Sequence, residues 1–334
     1  MYWYYKVPLI VLLIMIVLGL GVLGWRGFVS PRIHRDPAPA AETEPVQQAP
    51  SLPPKPVATP PAPAAEVKPA PQPVAPPAAK PVPSETEKIL DEAEKAMLAD
   101  NPRRARELAA SVLKSDKCKE YDKTWMRAAE IIDSANRIFM NGKAPCPEKK
   151  TYIVASGDNL TRVAYRNNST VGGLQRLNNL NRTSSVIHPG DALQYISGKW
   201  SIRVSKSHFL LMLLLDGELY RIYQISTGRQ DRTPAGTFVI KDKAENPAWT
   251  PPGQSIPFGD PRNILGTRWM GLRPQGETEQ TLMGYGIHGT TEPDTIGTAA
   301  SLGCVRMRNE EVEELYDFIP LAFEKQRIEV VIEE

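Results

Sequence analysis

The chain has 334 residues, enough for two or more compact domains, but 32 of them are proline, so part of the chain is unsuited to close packing. Lysine and arginine number 40 against 38 for aspartate and glutamate, a net charge of +2. This balance lacks the basic excess of a nucleic-acid-binding protein, and we expect no nucleic-acid partner. We predict a multidomain protein with one segment that does not pack.

The first predicted element, within residues 1–36, is a transmembrane helix. Residues 7–25 are apolar and uncharged, and at ~1.5 Å per residue they approach the ~30 Å of a membrane's hydrocarbon layer. A cleaved signal peptide would have a shorter apolar region with a small-residue cleavage site close behind, and a buried core helix would have a polar face. We therefore expect an uncleaved, single-pass anchor in a membrane. Interfacial aromatic residues bracket this span: Tyr2, Trp3, Tyr4, Tyr5 and Trp25.

The charges that flank this span favour an unexpected orientation. Lys6 precedes it, whereas Arg26, Arg32 and Arg35 follow it. The positive-inside rule would therefore place the C-terminal bulk of the chain in the cytoplasm. The C-terminal motifs described below imply an extracytoplasmic location, and we give them more weight than an excess of one or two charges.

Residues 37–83 form a linker rich in proline and alanine. Proline lacks a backbone donor and favours an extended left-handed helix, so this spacer has a reach on the order of 140 Å at ~3.1 Å per residue. It would hold the C-terminal domains well away from the membrane. A ligand for a proline-recognising domain is the alternative.

Residues 84–147 have the pattern of a small all-α segment. Ser84 and Glu87 have the spacing of a capping box, and apolar residues recur at helical spacing in three stretches up to about residue 140. We find no polar residues converging on one face of these helices. We therefore interpret the segment as a scaffold or as a contact site for a protein partner.

Two of the three cysteines, Cys118 and Cys146, belong to this helical segment, and the third is Cys304. In an exported protein, three cysteines divide naturally into one pair and one reactive thiol. We therefore predict a disulfide between Cys118 and Cys146. Two free thiols are the alternative if the chain is not exported.

Residues 150–197 have the pattern of two strands that enclose two helices. Strand-like residues lie at 152–154 and 193–196, helical stretches at 160–166 and 170–177, with turn residues between them. This order resembles the βααβ LysM module, and the resemblance implies a groove for glycan strands that contain N-acetylglucosamine. The glycan-binding residues that it implies are Gly157, Asp158, Asn159, Leu160, Ile187 and Pro189. Asp158 and Asn159 also suit helix capping, which does not exclude binding.

Residues 199–334 are mostly strand by pattern. Asp216-Gly217 is a strong hairpin signal between two apolar runs. A helix is predicted at 309–318, where acidic residues in the first turn suit the helix dipole. The predicted strands are 200–204, 209–215, 219–226, 238–241, 283–287 and 328–332.

One stretch, from His288 to Arg306, concentrates the residues of a thiol nucleophile and its base. A free cysteine has a pKa of about 8.5, so Cys304 needs a neighbouring base at neutral pH, and His288 is the nearest histidine. Gly303 lets the backbone turn sharply beside the cysteine. The N–H groups of Gly303 and Cys304 are candidate oxyanion donors, each contributing on the order of 3 kcal/mol. A buried, inert cysteine and a turn-capping histidine are the alternative.

The pattern His-Gly-Thr at 288–290, followed by Ser-x-Gly-Cys-Val-Arg-Met at 301–307, resembles the signature of the L,D-transpeptidases, which cross-link bacterial peptidoglycan. The resemblance implies a mainly-β catalytic domain over roughly residues 199–332. It also implies that Cys304 is the nucleophile and His288 its base, while Ser301 and Arg306 support the site and the substrate's charge. Further stretches that carry the likeness are 225–228, 233–238, 246–252 and 265–269.

The same resemblance implies that five residues contact the substrate: Gly289, Thr290, Tyr285, Trp269 and Trp249. Positions in the core are the alternative for the last three. Leu302 departs from the family, which often has a basic or histidine residue at this position. This chemistry requires no cofactor, and the spacing of His and Cys does not suggest a zinc site.

We therefore predict a membrane-anchored L,D-transpeptidase on the periplasmic or other extracytoplasmic side, with peptidoglycan stem peptides and glycan strands as partners. An L,D-carboxypeptidase, which resolves the same thioester with water, and a catalytically idle glycan-binding scaffold are the alternatives. The glycan module has no residue suited to acyl transfer. We therefore expect a chain cut at Lys199 to act on small soluble stem peptides.

Overall fold

The computed structural model describes residues 84–142, 144–183, 185–320 and 327–334. The predicted transmembrane helix and the Pro-rich linker lie outside these residues. Within them, no helix is both long enough and apolar enough to cross a membrane.

Three helices open the described part of the chain, as the sequence predicts: α1 (Glu85–Leu98), α2 (Pro102–Leu113) and α3 (Lys123–Met140). The capping box at the start of α1 forms, since the Ser84 Oγ accepts from the Glu87 N–H at 3.2 Å and the Ser84 N–H donates to the Glu87 carboxylate at 2.7 Å. Apolar side chains at helical spacing, among them Leu90, Leu108 and Ile132, form a small core between the three helices.

One face of α3 covers the sheet of the C-terminal domain with apolar side chains. Trp125 and Ala129 pack against Leu210 and Met212. Their burial removes apolar surface from water on both elements, which favours a fixed docking of the helix. The helical segment is therefore joined to the C-terminal domain by a packed interface.

Two polar residues of α3, Asp133 and Asn136, are 7% and 1% exposed and also face this sheet. The Asn136 amide donates to the Tyr220 carbonyl at 2.8 Å, and Asp133 accepts from the Arg221 Nε at 2.6 Å. Our prediction that no polar residues converge on one face of these helices is therefore wrong. The two residues are three positions apart, so they share a helical face, and their partners come from a distant strand.

The next four elements are β1 (Lys149–Ile153), α4 (Leu160–Arg166), α5 (Val171–Leu177) and β2 (Ala192–Ile196), which confirms the predicted βααβ order. The strands pair antiparallel, from Lys149 opposite Ile196 to Ile153 opposite Ala192. A small core that includes Leu160, Val163 and Leu174 lies between the strands and the helices.

The C-terminal domain is built on an eight-stranded sheet and a separate two-stranded sheet. The Asp216-Gly217 hairpin forms, with φ of 52° and 83°, the paired positive values of a type I′ turn. The elements are β3 (Trp200–Ser205), β4 (Leu210–Leu215), β5 (Glu218–Gln224), β6 (Thr227–Gly228), β7 (Gly236–Glu245), β8 (Arg268–Pro274), β9 (Gly286–His288), β10 (Ala299–Ser301), β11 (Val305–Arg306), α6 (Asn309–Phe318) and β12 (Glu329–Glu333). The strand order in the large sheet is β11-β9-β8-β7-β12-β3-β4-β5, and β6 pairs with β10 in the small one.

The strand predicted at 283–287 is shorter in the structure and begins only at Gly286. Gly284 has a φ of 80°, a left-handed value that interrupts an extended strand, and Met283 is 72% exposed. The loop that precedes β9 is therefore available to shape the surface beside the strand.

The predicted disulfide does not form, because Cys118 and Cys146 are both free thiols. Cys118 precedes α3 and Cys146 follows it, and α3 has 18 residues. A helix of that length separates its ends by about 27 Å, whereas bridged cysteines have Cα atoms within ~7 Å. Both thiols have a raised pKa because they are withdrawn from water, with the neighbouring carboxylates of Asp122 and Glu148 adding to the effect.

Candidate active site

A cavity of about 560 Å³ opens at the edge of the sheet beside β9 and β11. It is mostly uncharged, since Arg306 is the charged side chain that lines it, together with the His288 ring. Eight residues predicted for the site from the sequence meet here: Trp249, Trp269, Tyr285, His288, Ser301, Gly303, Cys304 and Arg306.

The pairing of two short strands explains why Cys304 and His288 reach the same cavity. β11 runs parallel to β9, with Val305 opposite Ile287 and Arg306 opposite His288. Val305 and Ile287 point into the core, where they are 1% and 0% exposed. Because side chains alternate along a strand, their neighbours Cys304, Arg306 and His288 point to the other face, toward the cavity.

The Cys304 thiol is protonated in its ground state. Its S–H donates to the Gly284 carbonyl at 3.7 Å. Burial raises the pKa of this thiol, although the Gly286 N–H and the positive charge of Arg306 lower it in part. A neutral thiol at neutral pH therefore needs a base at the moment it reacts.

His288 is 2% exposed and is a neutral imidazole. Burial lowers the pKa of its imidazole to about 4. The positive charge of Arg306 lowers this pKa further, whereas the carbonyls of Gly289 and Leu265 raise it in part. The Nδ1 lies 2.6 Å from the Gly289 carbonyl, which can only accept, so Nδ1 carries the proton. Nε2 is therefore the nitrogen with the free lone pair. Trp269 lies opposite His288 in the pairing of β8 with β9, and the two rings stack with their centroids 5.9 Å apart.

The turn that precedes Cys304 is held by Ser301. The Ser301 Oγ accepts from the Gly303 N–H at 3.0 Å and donates to the Cys304 carbonyl at 2.6 Å. The Gly303 N–H is therefore occupied, which corrects our expectation that it would face an oxyanion. The Cys304 N–H is the remaining donor of that pair. Gly303 has a φ of 144°, and a Cβ there would lie 2.9 Å from the Tyr285 ring, so only glycine fits.

Arg306 is 5% exposed and forms an ion pair with Glu292 at 3.0 Å. Its Nε has no hydrogen-bond partner among the described residues. Glu292 holds the guanidinium beside the cavity, where its positive charge lowers the pKa of the Cys304 thiol in part. Glu292 had no distinguishing sequence signal, because it comes from the loop between His288 and Ser301.

Gly289 and Thr290 are not among the residues that line the cavity, and Asn309 holds their loop, so substrate contact by these two residues stays a prediction. Asn309, the first residue of α6, accepts from the Thr290 N–H at 3.2 Å and the Thr267 N–H at 3.3 Å, and it donates to the Thr290 carbonyl at 3.0 Å. A side chain at Gly289 would collide with Asn309. Asn309 was not predicted as a site residue, although its position two residues after Met307 was an available signal.

Several predicted glycan-binding residues of the βααβ module have structural roles. The Asp158 carboxylate accepts from the Tyr152 hydroxyl at 2.7 Å, the Ala155 N–H at 2.9 Å and Arg166 at 2.7 Å. The Asn159 side chain caps α4, which confirms the capping role that we considered.

The other predicted glycan-binding residues differ in their exposure. Leu160 is 7% exposed in the small core, and Ile187 is half-buried. Gly157 and Pro189 are exposed. The surface that remains for a glycan is therefore mainly backbone at the two turns.

Comparison with known proteins agrees with this organisation. Residues 199–332 match the YkuD family, the L,D-transpeptidase catalytic domain, and residues 152–194 match the LysM domain. An L,D-transpeptidase from Mycobacterium smegmatis, a solved structure, aligns over 43% of this chain and 64% of its own at 17% identity, with a TM-score of 0.31.

Two Bacillus subtilis proteins, both described as candidate L,D-transpeptidases, are similar in sequence. YqjB is 39% identical over 119 residues, which are 35% of this chain and 65% of that protein. The chain thus spans slightly less than two thirds of YqjB. YkuD is 32% identical over 176 residues, which are 51% of this chain and 93% of that protein. The chain therefore belongs to the L,D-transpeptidase family, and in it a LysM domain precedes the catalytic domain.

Proposed function

We propose that this protein is a peptidoglycan L,D-transpeptidase that works through a thioester on Cys304. The observation that carries the proposal is the parallel register of β9 and β11, which turns Cys304 and His288 to one cavity. A thiol that shares a cavity with a neutral imidazole suits acyl transfer, because the base must accept the proton as the sulfur attacks.

The first half of the reaction forms the thioester. The Cys304 sulfur attacks the carbonyl after the third residue of a tetrapeptide stem, and its proton passes to the His288 Nε2. The tetrahedral oxyanion then collapses, the bond to the terminal D-alanine breaks, and the leaving amine takes the proton from His288. The thiol must first leave the Gly284 carbonyl, its partner in the resting site.

The second half transfers the acyl group. The amine of a neighbouring stem attacks the thioester carbonyl and gives a proton to the His288 Nε2. The bond to sulfur breaks, and the thiolate takes that proton back. The positive charge of Arg306 beside the cavity suits it to attract a carboxylate of either stem.

The LysM domain would keep the enzyme on glycan strands, and residues 7–25 would anchor it to the membrane with the catalytic domain on the extracytoplasmic side. Peptidoglycan lies outside the cytoplasm, so this location follows from the proposed substrate. The exposed turns at Gly157 and Pro189 support glycan binding through backbone groups.

The test uses purified tetrapeptide fragments and mass analysis of the products, with and without an acceptor stem. We expect cross-linked dimers and released D-alanine from the wild type, and neither from Cys304→Ala. Loss of the thiol should leave the free energy of unfolding within about 1 kcal/mol. Release of D-alanine without dimers would indicate a carboxypeptidase, and an unreactive Cys304 would indicate a glycan-binding scaffold.

A further inference from the structure

The peptide unit between Gly303 and Cys304 is fixed from the interior of the domain by Thr233. This side chain is 1% exposed. Its Oγ1 accepts from the Gly228 N–H at 2.7 Å and donates to the Gly303 carbonyl at 2.8 Å. The direction of both hydrogen bonds is fixed, because an N–H can only donate and a carbonyl can only accept, so the single proton of the hydroxyl goes to the carbonyl.

Two features make this contact rigid. Thr233 precedes Pro234, and a residue before proline is restricted to extended conformations. Gly228 lies so close to the nucleophile's loop that a Cβ there would be 2.9 Å from the Gly303 Cα. The hydroxyl therefore has little freedom to move away from the Gly303 carbonyl.

Because the peptide bond between Gly303 and Cys304 is planar and trans, the contact with Thr233 also fixes the direction of the Cys304 N–H. The carbonyl of Gly303 and the N–H of Cys304 belong to one planar unit and point in opposite directions. Since Thr233 holds the carbonyl toward the interior, the Cys304 N–H points away from it, on the side where Gly303 and Cys304 line the cavity. The Gly303 N–H cannot serve instead, because Ser301 accepts it.

We propose that Thr233 is a positioning residue that aims the Cys304 N–H at the oxyanion of the acyl-transfer step; this rests on the proposed function. The N–H faces the place where the carbonyl oxygen becomes negative when the Cys304 sulfur attacks. A preorganised donor of this kind contributes a factor of roughly 10² to 10³ in rate. Without the hydroxyl, the Gly303 peptide is free to rotate and the donor is no longer aimed.

The experiment compares two reactions of the same thiol. Acylation by a carbapenem forms the Sγ–C bond at the ring carbonyl, passes through an oxyanion, and opens the ring C–N bond with a proton delivered to nitrogen. Alkylation by iodoacetamide forms an Sγ–C bond while iodide leaves with its electron pair, and no oxyanion develops. A donor for the oxyanion affects the first rate and not the second.

We expect Thr233→Val, which keeps the shape and removes the hydroxyl, to lower the acylation rate by roughly 10²-fold. The alkylation rate should change by less than about threefold, because the sulfur and His288 are untouched. Thr233→Ser keeps the hydroxyl and is the matched control, and it should restore acylation to near the wild-type rate.

Equal loss of both reactions in Thr233→Val would show that the thiol itself is misplaced, and this would overturn the proposal. Acylation at the wild-type rate would overturn it as well. If Thr233→Val does not fold by circular dichroism, Thr233→Ala leaves room for water at the hydroxyl position. The same split between acylation and alkylation is then expected at smaller amplitude, and its absence counts against the proposal.

Acylation, alkylation and cross-linking by the wild-type protein show which of the two proposals fails. A wild type that is acylated but forms no cross-links from tetrapeptides would remove the transpeptidase proposal, and the role of Thr233 in acylation would still be decided by the variants. A wild type that is alkylated but never acylated would remove both.

Discussion

Asp133 of the helical segment and Arg221 of the catalytic sheet form a buried ion pair, with 2.6 Å between the carboxylate Oδ1 and the guanidinium Nε. Arg221 is 2% exposed and also pairs with Glu314 of α6. One cation thus ties α3, β5 and α6 together. The helical segment is therefore fixed to the catalytic domain by buried charges as well as by apolar packing.

Breaking this pair should destabilise the whole protein. Asp133→Ala leaves the buried Arg221 with one carboxylate, and removal of a buried partner costs about 3 kcal/mol or more. Glu107→Gln is the control, because its pair with Arg103 is exposed and contributes less than about 1 kcal/mol. Urea unfolding of both variants measures the difference. An Asp133→Ala variant as stable as the control would contradict the role assigned to this pair.

The same interface revises our expectation for a chain cut at Lys199. Removal of residues before Lys199 would expose Leu210 and Met212, which Trp125 and Ala129 cover, and would leave Arg221 without Asp133. We now expect such a chain to unfold more easily than the intact protein, so its activity would not isolate the contribution of the LysM domain.

The pKa of His288 sets the acid limit of the reaction. A base must be neutral to accept the thiol proton, and His288 stays neutral down to about pH 4. We expect kcat/KM for acylation to hold to about pH 5 and to fall below it, where an ordinary histidine would already fall near pH 6.5. A pH profile with its acid limb near 6.5 would contradict this.

Stability should depend on pH for the same reason. Between pH 6.5 and pH 4 the unfolded chain binds a proton at His288 that the folded chain does not, so the free energy of unfolding decreases as the pH falls. The contribution lost over this window is roughly 3 kcal/mol, and it is fully present above pH 6.5. His288→Gln should lack this part of the loss between pH 7 and pH 4.5. An identical loss in both proteins would assign it to other groups.

Local patterns in the sequence predicted local structure well. The Asp216-Gly217 turn and the capping box at Ser84 depend on neighbours in the chain, and both form as expected. The joint position of Cys304 and His288 was implied by family resemblance, while its physical cause, the parallel pairing of β9 and β11, has no local signal. Parallel pairing of two- and three-residue strands is decided by the rest of the sheet.

Contacts between distant segments could not be predicted. Arg221, Asp133 and Glu314 come from three elements far apart in the chain, and no periodicity links them. Cys118 and Cys146 show the opposite error, since their count suggested a pair, whereas they lie before and after α3 and are both free. One clue was available, because Asp133 and Asn136 interrupt the apolar stripe of α3.

The three free cysteines give a direct check. Labelling of the denatured protein without reductant should modify Cys118, Cys146 and Cys304 alike, and prior reduction should not raise the yield. In the native protein at neutral pH, all three should react slowly, because burial raises the pKa of each thiol. Peptide mapping by mass spectrometry identifies the sites. If only Cys304 were labelled before reduction, a disulfide between Cys118 and Cys146 would be indicated after all.

The LysM domain contacts α6 at Asp317. Arg176 lies 2.8 Å from the Asp317 carboxylate, Arg182 pairs with the same oxygen, and the Thr170 hydroxyl donates to the Asp317 carbonyl. Asp317 is 2% exposed, whereas the two arginine side chains are 24% and 43% exposed. Asp317→Asn therefore removes the charge and leaves the arginines in contact with water, so the free energy of unfolding should fall by only about 1–2 kcal/mol.

We expect Asp317→Asn to loosen the LysM domain without disturbing the chemistry, because Asn309 secures the site at the other end of α6. Turnover of soluble tetrapeptides should stay near the wild-type rate, while turnover of intact sacculi should fall, since a loosely held module no longer fixes the glycan relative to Cys304. Glu310→Gln, an exposed acid-to-amide change on the same helix, should affect neither. If Asp317→Asn slowed soluble stems as much as sacculi, the contact would act on the active site through α6, and its role would be positioning of the catalytic loop.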